Sequence, residues 1–286
     1  MASPEAHDSS NQEQVEFWNG PTGEMWVKVD DDNERHLSPF GDVALMVASA
    51  TPGEKVLDVG CGCGATTLQL GKSVAETGDV AGIDISAVML ERAIERACAA
   101  KRTNVSFHRI DAQSARFDNQ NRDLVFSRFG VMFFANPVAA FANIRSALRH
   151  DGRIVFVCWQ VPKANLWMSL PNRAALDFFG LTPPPHDAPG PFSLADPDRI
   201  QEVLSDGGYS NIEIEGVSRQ FRLAVGQSTD GWVHERLQMG LVGDFYRASD
   251  NSTQSRARRA VAAMVQPYEV DDGLEMSGAA WVVSAR

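Results

Sequence analysis

VLDVGCGCGATT, residues 56–67, is the stretch on which the fold turns. Its first four residues are a short apolar run of the parallel-strand type, and Gly60, Gly62 and Gly64 allow a tight turn into the helix that begins ATT. The next strand, DVAGIDI, carries Asp84 at its end, twenty residues after Gly64. A carboxylate there can accept both hydroxyls of a ribose, as it does in dinucleotide-binding folds. The glycine spacing is G-x-G-x-G, whereas a nicotinamide site favours G-x-G-x-x-G. Asp58, just before the first glycine, would repel a pyrophosphate but suits a ligand bearing an ammonium or sulfonium. It can also brace the turn by accepting backbone N–H groups, and the two roles are compatible.

Outward from this segment, helices and strands alternate. SAVMLERAIERACAAK is a helix with Ser86 as N-cap, NVSFHRID a third strand and RDLVFSRF a fourth. NPVAAFANIRSALR is a helix capped by Asn136 with Pro137 in its first turn, and Asp151-Gly152 turns into RIVFVCW, a fifth strand. This rhythm implies a parallel sheet covered on both faces. Upstream, residues 13–50 are expected to form a helical arm, with a helix from about Leu37 to Ala50, after a polar, disordered tail at 1–12. Residues 51–160 make the core. Residues 161–228 hold a helix broken near Pro171, a proline-rich surface loop at 183–191, a second helix and an edge strand. A helical lid at 229–266 and a final edge strand at 267–286 follow. The last two strands should be antiparallel neighbours, giving an α/β fold with a seven-stranded, mostly parallel sheet and an antiparallel last strand.

The chain has 286 residues, and 44% apolar composition supplies a substantial core. Twenty-six basic against 37 acidic residues leave a net charge of −11, which argues against a duplex-binding surface and against adhesion to anionic membranes. The start lacks a secretory pattern, and no apolar run is long enough to span a bilayer. Four cysteines are too few for a disulfide framework, so a reduced, cytoplasmic protein is expected. Cys61 and Cys63 are too close for a usual zinc half-site, and no metal is expected.

VLDVGCGCG, GIDIS, RIDAQ and NRDLVFSRFGVMFF resemble, in order, the motifs of class I S-adenosylmethionine-dependent methyltransferases. The likeness is firm over about residues 40–160 and points to the bacterial small-molecule branch that includes the ubiquinone and menaquinone C-methyltransferases. It implies a Rossmann-like fold, S-adenosylmethionine as cofactor and S-adenosylhomocysteine as product. By that resemblance the backbone of Gly60, Cys61 and Gly62 would hold the methionine moiety with Asp58 nearby. Asp84 would take the ribose hydroxyls, and Ile85 would pack on the adenine. Asp111 would approach the adenine amino group, with Ala112 offering its N–H; a plain turn role at the strand end is the alternative. Met89 would line the adenine or face its helix core. Ser127 would lie near the methionine end, and Arg128 would reach cofactor or substrate or else be an ordinary solvated arginine.

The resemblance implies methyl transfer to a small, partly apolar acceptor at O, N or C. A quinone or prenylated ring is one alternative, and non-catalytic cofactor binding another. SRFG replaces the N-P-P-Y type of tetrapeptide that methylators of planar amides use, which lowers nucleobase and glutamine targets. Pocket walls are sought among the aromatics: Trp18 and Trp26 (with Phe17) in the arm, Phe129 and Phe133 after strand four, Trp159 and Trp167 after strand five, and Trp232 and Tyr246 in the lid. Of Phe129, Phe133 and Phe134, one should face the pocket and the others the core. His36 is the candidate base, with a solvated helix-start histidine as its alternative. A monomer or homodimer acting on a small molecule is expected.

Overall fold

The computed structural model describes residues 11–75, 77–117 and 121–286. The arm comprises α1 (Gln12–Asn19), α2 (Pro21–Lys28) and α3 (Asp30–Ala48). The expected polar tail lies outside the described residues as far as position 10; Gln12 already belongs to α1, and Asn11 is buried. The helix expected from Leu37 instead begins at Asp30. Three aspartates in its first turn complement the helix dipole. Pro39 lies inside it, a change that costs about 3 kcal/mol in a helix interior. Phe40, Ala44 and Ala48, all fully buried on the same face, offset it.

Next come β1 (Lys55–Val59), α4 (Ala65–Ser73), β2 (Asp79–Asp84), α5 (Ala87–Ala99), β3 (Val105–Arg109), β4 (Arg122–Arg128), α6 (Pro137–Arg145) and β5 (Leu148–Trp159). Ser86 and Asn136 cap α5 and α6 through their side chains, as the sequence suggested. Asp151 and Gly152 do not form a turn before a strand. They lie within β5, which pairs with β4 from Leu148 onward across a register shift. The chain continues through α7 (Leu166–Phe179), α8 (Pro197–Asp206), β6 (Glu213–Leu223), α9 (Thr229–Leu237), α10 (Gly243–Ala248), α11 (Asn251–Val265), β7 (Glu269–Val270) and β8 (Gly273–Ala285). Helix α7 runs through Pro171 without the expected break; the ring is buried alongside Trp167, Ala174 and Ala175.

The main sheet has the order β3-β2-β1-β4-β5-β8-β6. Strands β1 to β5 pair in parallel, and β8 is inserted antiparallel between β5 and β6. The seven expected strands are joined by an eighth, the two-residue β7, which pairs only with β8. Central strands β1, β4 and β5 are covered on both faces, with Val56, Phe126, Phe156 and Val157 fully buried. Their carboxyl ends, where the strand order reverses between β1 and β4, are where such sheets open a crevice.

Candidate functional site

That crevice is a cavity of about 1280 Å³. Its floor is the turn after β1. Gly60 and Gly62 both have positive φ, +65° and +52°, which favours glycine. They differ in purpose. A Cβ on Gly60 would meet Gly130 Cα at 2.7 Å, so Gly60 serves close backbone packing, whereas around Gly62 only Met89 Sδ, at 3.8 Å, lies near. Gly62 is therefore the position that leaves room for a ligand. The Gly62 N–H donates to Asp84 Oδ2 (2.8 Å), and the Ser86 N–H donates to Asp84 Oδ1 (2.9 Å). Burial raises the Asp84 carboxyl above its ordinary range, and these N–H groups oppose the rise. Each carboxylate oxygen keeps a further lone pair for a ligand.

Cys61, Ile85, Met89, Asp111 and Ala112 border the same cavity. Asp111 also caps its own turn, accepting from Gln113 N–H at 2.9 Å and Ser114 Oγ at 3.3 Å, so the turn role proposed as its alternative is present too. Two residues assigned to the cofactor set do not border the cavity. Asp58 is fully buried beneath the turn, with Oδ2 accepting from Thr66 Oγ1 (2.8 Å) and Thr67 Oγ1 (2.6 Å). Its Oδ1 has no hydrogen-bond partner among the described residues, and burial pushes its pKa up to about 6. Ser127 is likewise fully buried, its Oγ without a hydrogen-bond partner among the described residues and lying behind Gly130. The strand alternation of β4 turns Ser127 inward, which removes it from direct contact with an acceptor.

The arm closes over this end. Asn19 donates through Nδ2 to the Ile85 carbonyl (3.0 Å) and accepts from the Ala87 N–H (2.9 Å), and Ser86 Oγ donates to the Trp18 carbonyl (2.7 Å). Trp18 meets Trp26 and Phe133 edge-on, and Phe129 stacks on Trp159 at 3.9 Å, which in turn meets Trp167. All six aromatics chosen for the acceptor pocket, Trp18, Trp26, Phe129, Phe133, Trp159 and Trp167, border the cavity. Phe134 does too, contrary to the expected division of the phenylalanines. Phe129 has φ +61°, and a 3-10 turn at Val131–Phe133 follows, so strand alternation no longer governs their directions.

Further expectations need correction. His36 is neither solvated nor at the cavity wall. It is buried between Trp167 and Phe221, its Nε2 is 3.1 Å from the Arg222 carbonyl, and burial lowers its pKa against the opposing pull of Asp32. Its place well inside α3 puts it against β6 rather than on the cavity wall. Arg128 is not solvated either; it holds both carboxylate oxygens of Glu34, at 2.7 and 2.6 Å. Trp232 and Tyr246 are the core of the lid, and the lid's contribution to the wall comes from Arg236 and residues 239–242. The proline-rich loop is no mere surface excursion: Pro183–Pro185 and Pro189–Pro191 edge the cavity, anchored by the Gly190 N–H to the Met132 carbonyl. Sequence reasoning missed Glu34 and Arg236, which had no motif to mark them. Among the described residues no group of His, Cys, Asp and Glu is arranged to hold a metal, and no helix is long and apolar enough to cross a membrane.

Residues 50–174, which carry this floor, match the family described as Methyltransferase domain. Over 120 residues the chain is 35% identical to aklanonic acid methyltransferase DauC of Streptomyces sp. (strain C5), covering 42% of this chain and 54% of that protein. Over 103 residues it is 35% identical to the demethylmenaquinone methyltransferase of Shouchella clausii, covering 36% and 44%. The chain thus spans about half the length of the curated relatives it matches. A solved phosphoethanolamine N-methyltransferase 2 from Haemonchus contortus, in complex with S-adenosyl-L-methionine, superposes with a TM-score of 0.58 at 18% identity. That match covers 99% of this chain and 61% of the other, and shows the fold. Trp18, Trp26, Glu34 and Arg236 lie outside the matched methyltransferase domain.

Proposed function

We propose that this chain binds S-adenosylmethionine and transfers its methyl group to a small, partly apolar acceptor at O, N or C. The observation that carries the reading is Asp84, a carboxylate fixed by the N–H groups of Gly62 and Ser86 on the wall of a cavity that Asp111 and Ala112 also border. Asp84 would hold the ribose hydroxyls, Ile85 and Met89 the adenine faces, and Gly60 to Gly62 the methionine end. The Oδ1 of Asp58 beneath that end, without a hydrogen-bond partner among the described residues, fits a cationic ligand, because a positive charge nearby stabilises a buried carboxylate. When bound, the cofactor supplies an electrophilic methyl on a positively charged sulfur.

The chain's own residues then align the acceptor and keep water out. Trp18 and Trp26 close the arm side, and Phe129, Trp159 and Trp167 close the opposite side. His36 is out of reach as a base, so proton handling falls to the acceptor's own acidity or to a carboxylate on the wall. The space beyond the Asp84 end supports catalysis over mere cofactor binding. The second reading, a quinone or prenylated ring as acceptor, draws on the demethylmenaquinone methyltransferase relative, but walls from outside residues 50–174 weaken that inheritance. The net charge of −11 and four free cysteines support a cytoplasmic enzyme, monomeric or dimeric, that leaves nucleic acid alone. Incubation with methyl-labelled S-adenosylmethionine and small-molecule extracts tests the reading. Label in a low-molecular-weight product is expected; label only in nucleic acid or protein would contradict it.

A further inference from the structure

Strand β6 forms one edge of the main sheet. It runs for 11 residues in unbroken register along β8, with no proline, lysine or bulge, the devices that commonly close such an edge. Which backbone groups it leaves free follows from the ladder. The Gln160 N–H donates to the Ala279 carbonyl on the β5 side of β8 (3.0 Å), so the next residue, Ala280, turns its backbone groups toward β6, where Val217 lies opposite. Val217 therefore bonds inward, and Ile214, Gly216, Ser218 and Gln220 direct their N–H and C=O groups outward. Arg222 keeps the same alternation: its carbonyl leaves the sheet to meet His36 Nε2 at 3.1 Å, which ends the open stretch. Among the described residues nothing takes the N–H groups of Ile214, Gly216, Ser218 or Gln220, and of their carbonyls only that of Ser218 is used, by Arg219 Nη1 at 2.9 Å. Glu213, Glu215, Gly216, Ser218 and Gln220 are exposed.

The charges along this edge are ordered. Glu213 and Glu215 occupy its amino-terminal half, and Arg219 and Arg222 its carboxyl-terminal half. Such a strand is complementary to itself when turned end for end. In an antiparallel pair with its two-fold axis at Val217, Glu215 of each copy stands opposite Arg219 of the other, Gly216 opposite Ser218, and Ile214 opposite Gln220. Outward-bonding residues then face outward-bonding residues, as the antiparallel ladder requires. Val217 meets its own copy, and Glu215 meets Arg219, in non-hydrogen-bonded pairs, where side chains approach closest. Moving the axis by two residues sets Glu215 against Glu215 in one direction and Arg219 against Arg219 in the other, which is unfavourable.

We propose that β6 is a homodimer interface, at which two copies of this chain join their sheets antiparallel across Val217. The contact is isologous and closes after two copies. None of residues 213–223 borders the cavity, so the joined sheets leave both sites open, and the proposal stands independently of the methyl-transfer reading.

Sedimentation equilibrium over a concentration series reaching about 200 μM tests it; an edge contact of this length is small, so a dissociation constant on the order of 10 μM is expected. Glu215→Arg and Arg219→Glu each replace two attractive cross-strand pairs by two repulsive ones, and each alone should weaken self-association at least about tenfold. An equimolar mixture of the two variants restores opposite charges in both pairs and should dimerise within about threefold of wild type. Ser218→Pro removes an outward N–H without touching the ladder to β8 and should give a folded monomer. Wild type that stays monomeric across the series, a dimer indifferent to either charge reversal, or a mixture that associates no more tightly than its components would each overturn the proposal. The mixture stands as a test even if the proline variant fails to fold.

Discussion

Gly60 and Gly130 meet backbone to backbone: a Cβ on Gly60 would lie 2.7 Å from Gly130 Cα, and one on Gly130 would lie 2.8 Å from Gly60 Cα. The turn after β1 and the segment after β4 thus set each other's position at the centre of the site. Gly130→Ala should force them apart, costing about 1–3 kcal/mol as overpacking does, and should weaken S-adenosylhomocysteine binding along with stability. Chemical denaturation and calorimetry on the same variant check both effects; an unchanged affinity would show that the contact does not shape the site.

Asp58 makes a pH-dependent prediction. Its pKa is pushed up to about 6 in the folded chain, from an ordinary 3.8. The folded state therefore binds the proton more tightly than the unfolded one, and this group's contribution to stability is full below about pH 4 and is lost as pH rises through 6. Asp58→Asn retains an oxygen for Thr66 and Thr67 and should raise unfolding stability at pH 7 by up to about 3 kcal/mol, flattening the fall between pH 4 and 6. It should also weaken S-adenosylmethionine more than the uncharged-sulfur product. Denaturation series at several pH values and paired titrations measure these changes; a variant less stable than wild type at pH 7 would contradict the burial argument.

His36 should prove structural. Its ring packs against Trp167 and Phe221 and bonds to the Arg222 carbonyl, joining the arm to β6. His36→Gln is expected to lower stability by about 1–3 kcal/mol, the cost of disturbing a buried hydrogen bond, while kcat stays within about threefold. A kcat loss of two orders of magnitude in a folded variant would restore it as a base.

Much of the core was legible because period and punctuation agree there. VLDVG, DVAGID and the capping residues Ser86 and Asn136 each carry a local signal that the sheet then uses. The floor of the site was legible for the same reason: Gly62, Asp84 and Asp111 sit at strand ends whose places follow from order alone. The walls were harder. His36 was chosen by its place near the helix before the glycine turn and Ser127 by the family resemblance, yet the side of α3 and of β4 on which each lies depends on what packs there. Glu34 and Arg128 are 94 residues apart and become partners only through the crossing of α3 over β4. Proline misled at Pro171, where burial outweighed its helix-breaking cost.

The central claim, that Asp84 and the glycine turn hold S-adenosylmethionine, is tested most directly by calorimetric titration of S-adenosylhomocysteine and NADH into wild-type protein and Asp84→Asn. Wild type should bind S-adenosylhomocysteine and not NADH, and the variant should lose at least about tenfold in affinity, the loss of a charge-assisted hydrogen bond. Binding of NADH in preference, or S-adenosylhomocysteine affinity indifferent to Asp84→Asn, would contradict it.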